Sequence, residues 1–234
     1  MRTIGILQAD SIRPELAVEH GDYPAMFERM LASHGTRFET WCATKGELPA
    51  VPGAADAYVI TGSRCSVYDE LDWIAPLADC VNGLIDSGAT VIGVCFGHQL
   101  IAHFRGGLVG PADVGWGVGV HRFNVTTPEP WMFPETTELA MLASHKDQVL
   151  ELPDGAEHLA GSAFCPNSMY RIGSNVLCVQ QHPEFTPRYA MDLMATRKEL
   201  IDEAVYEVAM QSFGRPVSSG VFAAWVHNFI GVGE

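Results

Sequence analysis

The segment from Thr90 to Arg105 limits the fold more than any other. Thr90-Val91-Ile92-Gly93-Val94 is an apolar run without polar alternation. That is the pattern of a strand covered on both faces. It passes without a loop into Cys95-Phe96-Gly97-His98-Gln99, and the stretch from Gly97 to Arg105 reads as a helix. Such a junction belongs to a parallel sheet with helices packed on it. Glycines stand two residues before and two after the cysteine, where larger side chains would collide in a tight strand-to-helix turn.

The surrounding pattern agrees. Thr3–Gln8 reads as a buried strand, Pro24–Ser33 as a helix closed by His34-Gly35, Arg37–Cys42 as a strand and 56–60 as another buried strand. Asp72 has the character of an N-cap. Ile74, Leu77, Val81, Leu84 and Ile85 then fall at helical spacing, and Gly88 closes the helix. Strand–helix alternation with short connections predicts right-handed crossovers. Later the segments become short and are parted by Pro, Gly, Asn and Asp: 117–125, 148–152, 158–163, 169–172 and 176–180. These suit antiparallel additions. Thr186-Pro187 predicts the N-cap and first turn of a long helix with an apolar stripe of Met191, Met194, Ile201, Ala204, Val205 and Val208, ended near Gly214. A last helix is expected over 221–230. The expectation is one domain over 1–234: an α/β core over about 1–186 and a helical C-terminal extension over 187–234.

Composition narrows the function classes. With 14 Lys+Arg against 28 Asp+Glu, the formal charge is −14. That excess opposes nucleic-acid phosphates and anionic membranes. No apolar run approaches the roughly 18 residues of a membrane span, and the N-terminus lacks the flanks of a signal peptide. Cys42, Cys65, Cys80, Cys95, Cys165 and Cys178 are widely spaced without CxxC pairs. The expectation is a cytoplasmic protein with reduced thiols. The histidines do not predict a metal: His98 and His103 are five apart, and His20, His34, His121, His158 and His227 lack partners at ligand spacing. Gly106-Gly107 and the glycines of 115–119 lack a P-loop Lys-Ser/Thr, so they predict turns and close packing, and no cofactor is expected.

Cys95 at such a junction is raised above the sheet, in the manner of the nucleophile elbow of serine hydrolases. A thiol titrates near about 8.5, and a helix N-terminus or a neighbouring imidazole draws it toward thiolate. Alone, the element equally suits a buried structural cysteine. The second element is His182-Pro183-Glu184, 87 residues after Cys95. In extended chain, residues two apart face the same way, so Glu184 can orient His182. His182 then takes the thiol proton and returns it to a leaving group. Without the elbow, the same tripeptide would read as a turn after a strand.

Gly-Val-Cys-Phe-Gly-His-Gln at 93–99 followed by His-Pro-Glu at 182–184 resembles the class I, triad-type glutamine amidotransferases. The 58–64 stretch, Tyr-Val-Ile-Thr-Gly-Ser-Arg, stands where that family carries a glycine-rich oxyanion loop. Ser144-His145-Lys146-Asp147-Gln148-Val149 is similar to a stretch of the GMP synthase glutaminase domain. The likeness covers residues 3–186, about four-fifths of the chain. It implies a three-layer, open, mainly parallel flavodoxin-like sheet. It also implies attack by Cys95 on the γ-carbonyl of glutamine or another γ-glutamyl compound, with His182 and Glu184 completing the triad. Oxyanion donors would come from Phe96 and the Gly62–Ser63 turn. Gln99, Ser144 and His145 would touch the substrate, although Gln99 also reads as a solvated residue of a helix's first turn.

The early loop departs from the family's Gly-Gly-Pro. Ser63 lacks glycine's freedom at positive φ. Arg64 reads as an exposed loop residue or as a charge for a substrate carboxylate, and Cys65 as incidental. Nothing after 186 resembles the nucleotide-binding loop of an ATP-pyrophosphatase. The first expectation is therefore a stand-alone amidotransferase-like protein, hydrolysing glutamine or passing ammonia to a separate synthetase subunit. The second is a γ-glutamyl peptide or amine hydrolase that needs no synthetase. The third is a catalytically silent regulatory module. The partner in the first two is a small molecule, and the pattern specifies no oligomeric state.

Overall fold

The computed structural model describes residues 2–231. Its elements are β1 (Arg2–Gln8), α1 (Pro14–His20), α2 (Tyr23–Leu31), β2 (Thr36–Cys42), β3 (Ala57–Ile60), α3 (Ile74–Asp86), β4 (Thr90–Val94) and α4 (Phe96–Phe104). They continue as β5 (Leu108–Pro111), β6 (Gly117–Val125), β7 (Glu138–His145), β8 (Asp147–Glu151), β9 (Ala156–Gly161), β10 (Met169–Ile172) and β11 (Val176–Val179). Helices α5 (Pro187–Ala195), α6 (Glu203–Ser212) and α7 (Ser219–Phe229) complete them. One sheet has the order β2-β1-β3-β4-β11-β10-β9-β6-β7, and β5 pairs with β8 apart from it. From β2 to β11 neighbours run parallel, and from β11 to β7 antiparallel. The expected three-layer α/β architecture is present, and its antiparallel wing is the one the short later segments predict.

The parallel strands are apolar throughout because both faces are covered. Ile4, Ile6, Val59, Ile92, Val94, Leu177 and Val179 share one core with Phe27 and Leu31 of α2 and Phe222 and Trp225 of α7. The alternate residues Leu7, Tyr58, Ile60, Val91, Val176 and Cys178 share another with Leu77, Val81 and Leu84 of α3 and Leu100 and Ile101 of α4. The strands' C-terminal ends therefore open on one edge, where α/β sheets bind ligands. No helix among the described residues is long and apolar enough to cross a membrane. All six cysteines are free.

Three expectations need correction. Asp72 does not cap α3: Trp73 occupies the N-cap position, without a side-chain cap, and the Ile74 N–H donates to the Leu71 carbonyl. The long helix from Pro187 is broken. Thr186 caps its start, accepting from the Tyr189 N–H at 3.1 Å, but α5 ends at Ala195 and a 3-10 turn spans Lys198–Leu200. Asp202 then starts α6 afresh, its Oδ1 accepting from the N–H groups of Ala204 and Val205. Ile201 is buried, while Ala204, Val205 and Val208 of the expected stripe are exposed, so the stripe was not one face of one helix. Finally, α1, β5 and β7 were not foreseen. The first two are short, and β7 is a buried run that ends in the Ser144-His145 motif.

Within residues 187–231, α5, α6 and α7 pack into the core. Trp225 and Phe222 are wholly buried, and the Trp225 indole donates to the Pro134 carbonyl at 2.9 Å. Helix α6 lies on β6, where Ser212 Oγ accepts from the Val120 N–H at 2.8 Å. A Cβ on Gly119, at φ +84°, would sit 2.5 Å from that oxygen.

Candidate active site

Three strands deliver the site. At the end of β4, Cys95 has φ 50° and ψ −98°, the one non-glycine residue with positive φ among those described. That backbone is costly for a side chain and persists only where its surroundings enforce it. The enforcement is visible. A Cβ on Gly93 would meet the Gly97 carbonyl at 2.8 Å, and one on Gly97 would meet Ile60 Cβ and its carbonyl oxygen at 2.7 Å. The Cys95 N–H donates to the Val179 carbonyl at 2.9 Å, tying the turn to β11.

β11 runs parallel beside β4, Val179 opposite Val94, so the residues that follow it arrive next to Cys95. The Gln180 side-chain amide is 3.7 Å from the Cys95 sulfur. Two residues on, the His182 N–H donates to the Leu142 carbonyl of β7 at 2.8 Å, which fixes the extended segment. His182 Nδ1 lies 2.7 Å from Glu184 Oε1, and both side chains are almost wholly buried. The imidazole stacks on Phe185 at 3.9 Å. Burial disfavours its charged form, but Cys95 and Glu184 outweigh burial and push its pKa up to about 10.

The third contribution comes from the turn after β3. A Cβ on Gly62 would lie 2.8 Å from His182 Cε1 and 3.7 Å from Cys95 Cβ. Glycine is required there by the imidazole. Ser63 does not adopt positive φ, so its backbone here does not call on glycine's freedom. Its Oγ accepts from the Cys65 N–H at 3.2 Å. Phe96 opens α4, so its N–H is among the helix-start amides that lack an intrahelical acceptor. Arg64 is committed: Nε and Nη2 each lie 2.8 Å from an oxygen of Asp10, and Nη2 also donates to the Ser11 carbonyl. It ties the turn after β3 to the loop after β1.

A cleft of about 390 Å³ opens over Cys95, with Ser63, Gln99, Ser144 and His145 in its walls. Gln99 is buried, not solvated. Its amide donates to the Asp147 carbonyl at 2.8 Å and to Gln180 Oε1 at 3.0 Å. Ser144 Oγ accepts from Arg197 at 2.7 Å. His145 is buried against Gly117, and burial, helped by His121 and His182, pushes its pKa down to about 3, so it is neutral. His98 is likewise held at about 3, mainly by burial, and its ring packs at a tilt against Tyr170. Cys65 also faces the cleft, its thiol pushed up by burial.

Sequence reasoning missed Asp10, Trp116, Gln180 and Arg197, which also line or adjoin the site. Gln180 stands two residues before His182 and was open to the same strand-end argument, whereas Trp116 and Arg197 reach the cleft only through tertiary packing. His20 gains distant partners that spacing did not foretell: Nε2 is 3.0 Å from Asp192 Oδ2, with Glu19 nearby. The Arg188 guanidinium already pairs with both of those carboxylates.

A family model described as glutamine amidotransferase class-I matches residues 26–200. Gamma-glutamyl peptidase 4 of Arabidopsis thaliana is 33% identical over 184 residues, 75% of this chain and 72% of that protein. A glutamine-hydrolyzing GMP synthase of Caldicellulosiruptor saccharolyticus is 32% identical over 168 residues, 70% of this chain and 31% of that protein. A glutamine amidotransferase of Thermotoga maritima superposes with TM-score 0.76 over 97% of this chain and 98% of its own, at 18% identity, a likeness of fold. The chain belongs to the class-I glutamine amidotransferase family.

Proposed function

We propose that this protein is a cysteine-dependent γ-glutamyl hydrolase working through Cys95, His182 and Glu184. The observation that carries the reading is the elbow itself: a cysteine held at positive φ at the mouth of a cleft, beside an imidazole bonded to a buried carboxylate at 2.7 Å. Because Nδ1 is engaged by Glu184, Nε2 is the nitrogen left to exchange protons. The Cys95 thiolate attacks the γ-carbonyl carbon, and the carbonyl π pair moves onto oxygen. The Phe96 N–H and one N–H of the Gly62–Ser63 turn receive that oxyanion. As the C–N bond breaks, His182 Nε2–H protonates the departing nitrogen. A γ-glutamyl thioester remains on Cys95. Water then attacks it, giving a proton to His182, and the C–S bond breaks to release glutamate and the thiolate.

Within this chemistry, γ-glutamyl peptides or amines fit better than glutamine as the main substrate, reversing the order expected from sequence. The cleft is in the size range of ligands larger than one amino acid, and the plant relatives are named gamma-glutamyl peptidases. Glutamine hydrolysis with ammonia passed to a separate synthetase is the second reading, supported by the similarity to GMP synthases. The purified protein, without partners, is assayed on a γ-glutamyl dipeptide and on glutamine, with Cys95→Ser alongside. Faster turnover of the dipeptide, lost by at least about 10³-fold in Cys95→Ser, is expected. Full activity in Cys95→Ser would refute the triad. Turnover of glutamine alone would return the reading to an amidotransferase.

A further inference from the structure

Arg197 sits at the break between α5 and α6 and lines the cleft with Cys95. Its Nη1 donates to Ser144 Oγ at 2.7 Å, and its guanidinium lies over the Trp116 ring, 5.7 Å from the centroid. Those contacts hold the planar fork and leave most of its five N–H donors uncommitted. Among the described residues no carboxylate pairs with it, although the chain carries 28 Asp+Glu against 14 Lys+Arg. Arg64, in the same cleft, is neutralised by Asp10. Apolar side chains of Trp116, Leu193, Leu200 and Ile12 share the cleft lining with it, together with the phenols of Tyr23 and Tyr189.

A half-buried guanidinium with free donors beside apolar side chains is a site for an amino-acid carboxylate with its side chain alongside. We infer that Arg197 binds the carboxylate of the leaving amino acid or peptide, so that the enzyme selects γ-glutamyl compounds whose leaving amine carries a carboxylate. The inference rests on the hydrolase reading above and names the substrate class of that same cleft. Ammonia offers nothing to this arginine, and neither does a simple alkylamine. The glutamyl unit's own α-carboxylate is the other source of the same chemistry, and the test separates the two.

The experiment compares kcat/KM on γ-glutamyl-leucine and on γ-glutamyl-leucinamide, which differ only in the leaving-side carboxylate. The wild-type ratio of acid to amide is expected at about 10–100, the size of a charge-assisted hydrogen-bonded pair. In Arg197→Met it should collapse toward one, mainly through KM. Arg197→Lys should keep an intermediate ratio, since a point charge replaces the fork. A wild-type ratio near one overturns the inference without any variant, so it stays testable if a variant misfolds. Equal losses on both substrates in Arg197→Met also overturn it, and assign the arginine to the glutamyl carboxylate or to the cleft's framework. Failure of the hydrolase reading looks different: the wild type would turn over neither compound.

Discussion

Among single residues, the proposed hydrolysis depends most on the pair His182–Glu184 beside Cys95. The imidazole is buried and would ordinarily lose its proton easily. Instead it is held up to about 10, because Cys95 and Glu184 both favour the imidazolium over the opposing effect of burial. Glu184→Gln keeps the shape and removes one of the two negative partners, so the His182 pKa must fall. The catalytic acid is then lost at lower pH, and the basic limb of the kcat/KM profile is expected to move toward neutrality. At the optimum the rate should drop about 10²–10⁴-fold, the range for general acid–base groups. A pH–rate series on both proteins measures this, and an unmoved basic limb would detach Glu184 from the imidazole's titration. These residues were legible in the sequence because each motif is local: Gly-x-Cys-x-Gly fixes an elbow within five positions, and His-x-Glu needs only extended chain. Arg197 and Trp116 were not legible, since nothing near either residue foretells that they meet over the cleft.

At the scale of elements, the β4–α4 junction works because three pieces of backbone approach closely. Gly97 shows how little room is left, with a Cβ there 2.7 Å from both Ile60 Cβ and its carbonyl oxygen. β3 and β4 are paired, Ile60 opposite Gly93, so neither side can yield without disturbing the sheet. Gly97→Ala is therefore expected to cost about 1–3 kcal/mol as an overpacked site, and to tilt α4 enough to misplace the Phe96 N–H. Denaturant midpoints report the first effect and kcat the second. Full stability with full activity would mean that the junction is looser than the contacts indicate. The parallel strands were readable from their apolar runs, and β4, β6 and β10 fall where the sequence placed them. The helix after Pro187 was misread for a physical reason. Apolar residues at helical spacing ran across 191–208, but Asp202 offers a cap that competes with continuation, and Ile201 turns inward while Val205 and Val208 stay exposed. Periodicity alone weighed the stripe and overlooked the cap.

At the scale of the molecule, the question is whether residues 187–231 form an appendage or part of the fold. Sequence likeness suggested a core ending near 186, because the motifs end there. Packing joins the later helices to that core. Trp225 and Phe222 of α7 join the core that Ile4, Ile6, Val59 and Ile92 form on one face of the parallel sheet. Trp225 also ties α7 to the 131–134 loop through the Pro134 carbonyl, and Asn228 does the same through the carbonyls of Trp131 and Phe133. On the antiparallel wing, Phe213, Ala209 and Ile201 share a core with Leu142 and Val120. A chain cut after residue 186 would leave both surfaces bare to water. A buried tryptophan removed to alanine costs about 3–5 kcal/mol, against a total stability of about 5–15 kcal/mol. Trp225→Ala should therefore lower Tm while keeping a cooperative transition and activity per folded molecule. The 1–186 fragment, which loses that side chain and every other contact of α5–α7, should show no cooperative unfolding and no γ-glutamyl turnover. Calorimetry on the two proteins distinguishes the cases. A fragment that melts cooperatively and still hydrolyses the dipeptide would restore the boundary at 186 and make the terminal helices an addition. The expected outcome makes them a structural condition for the strand ends that carry Cys95, Gly62 and His182.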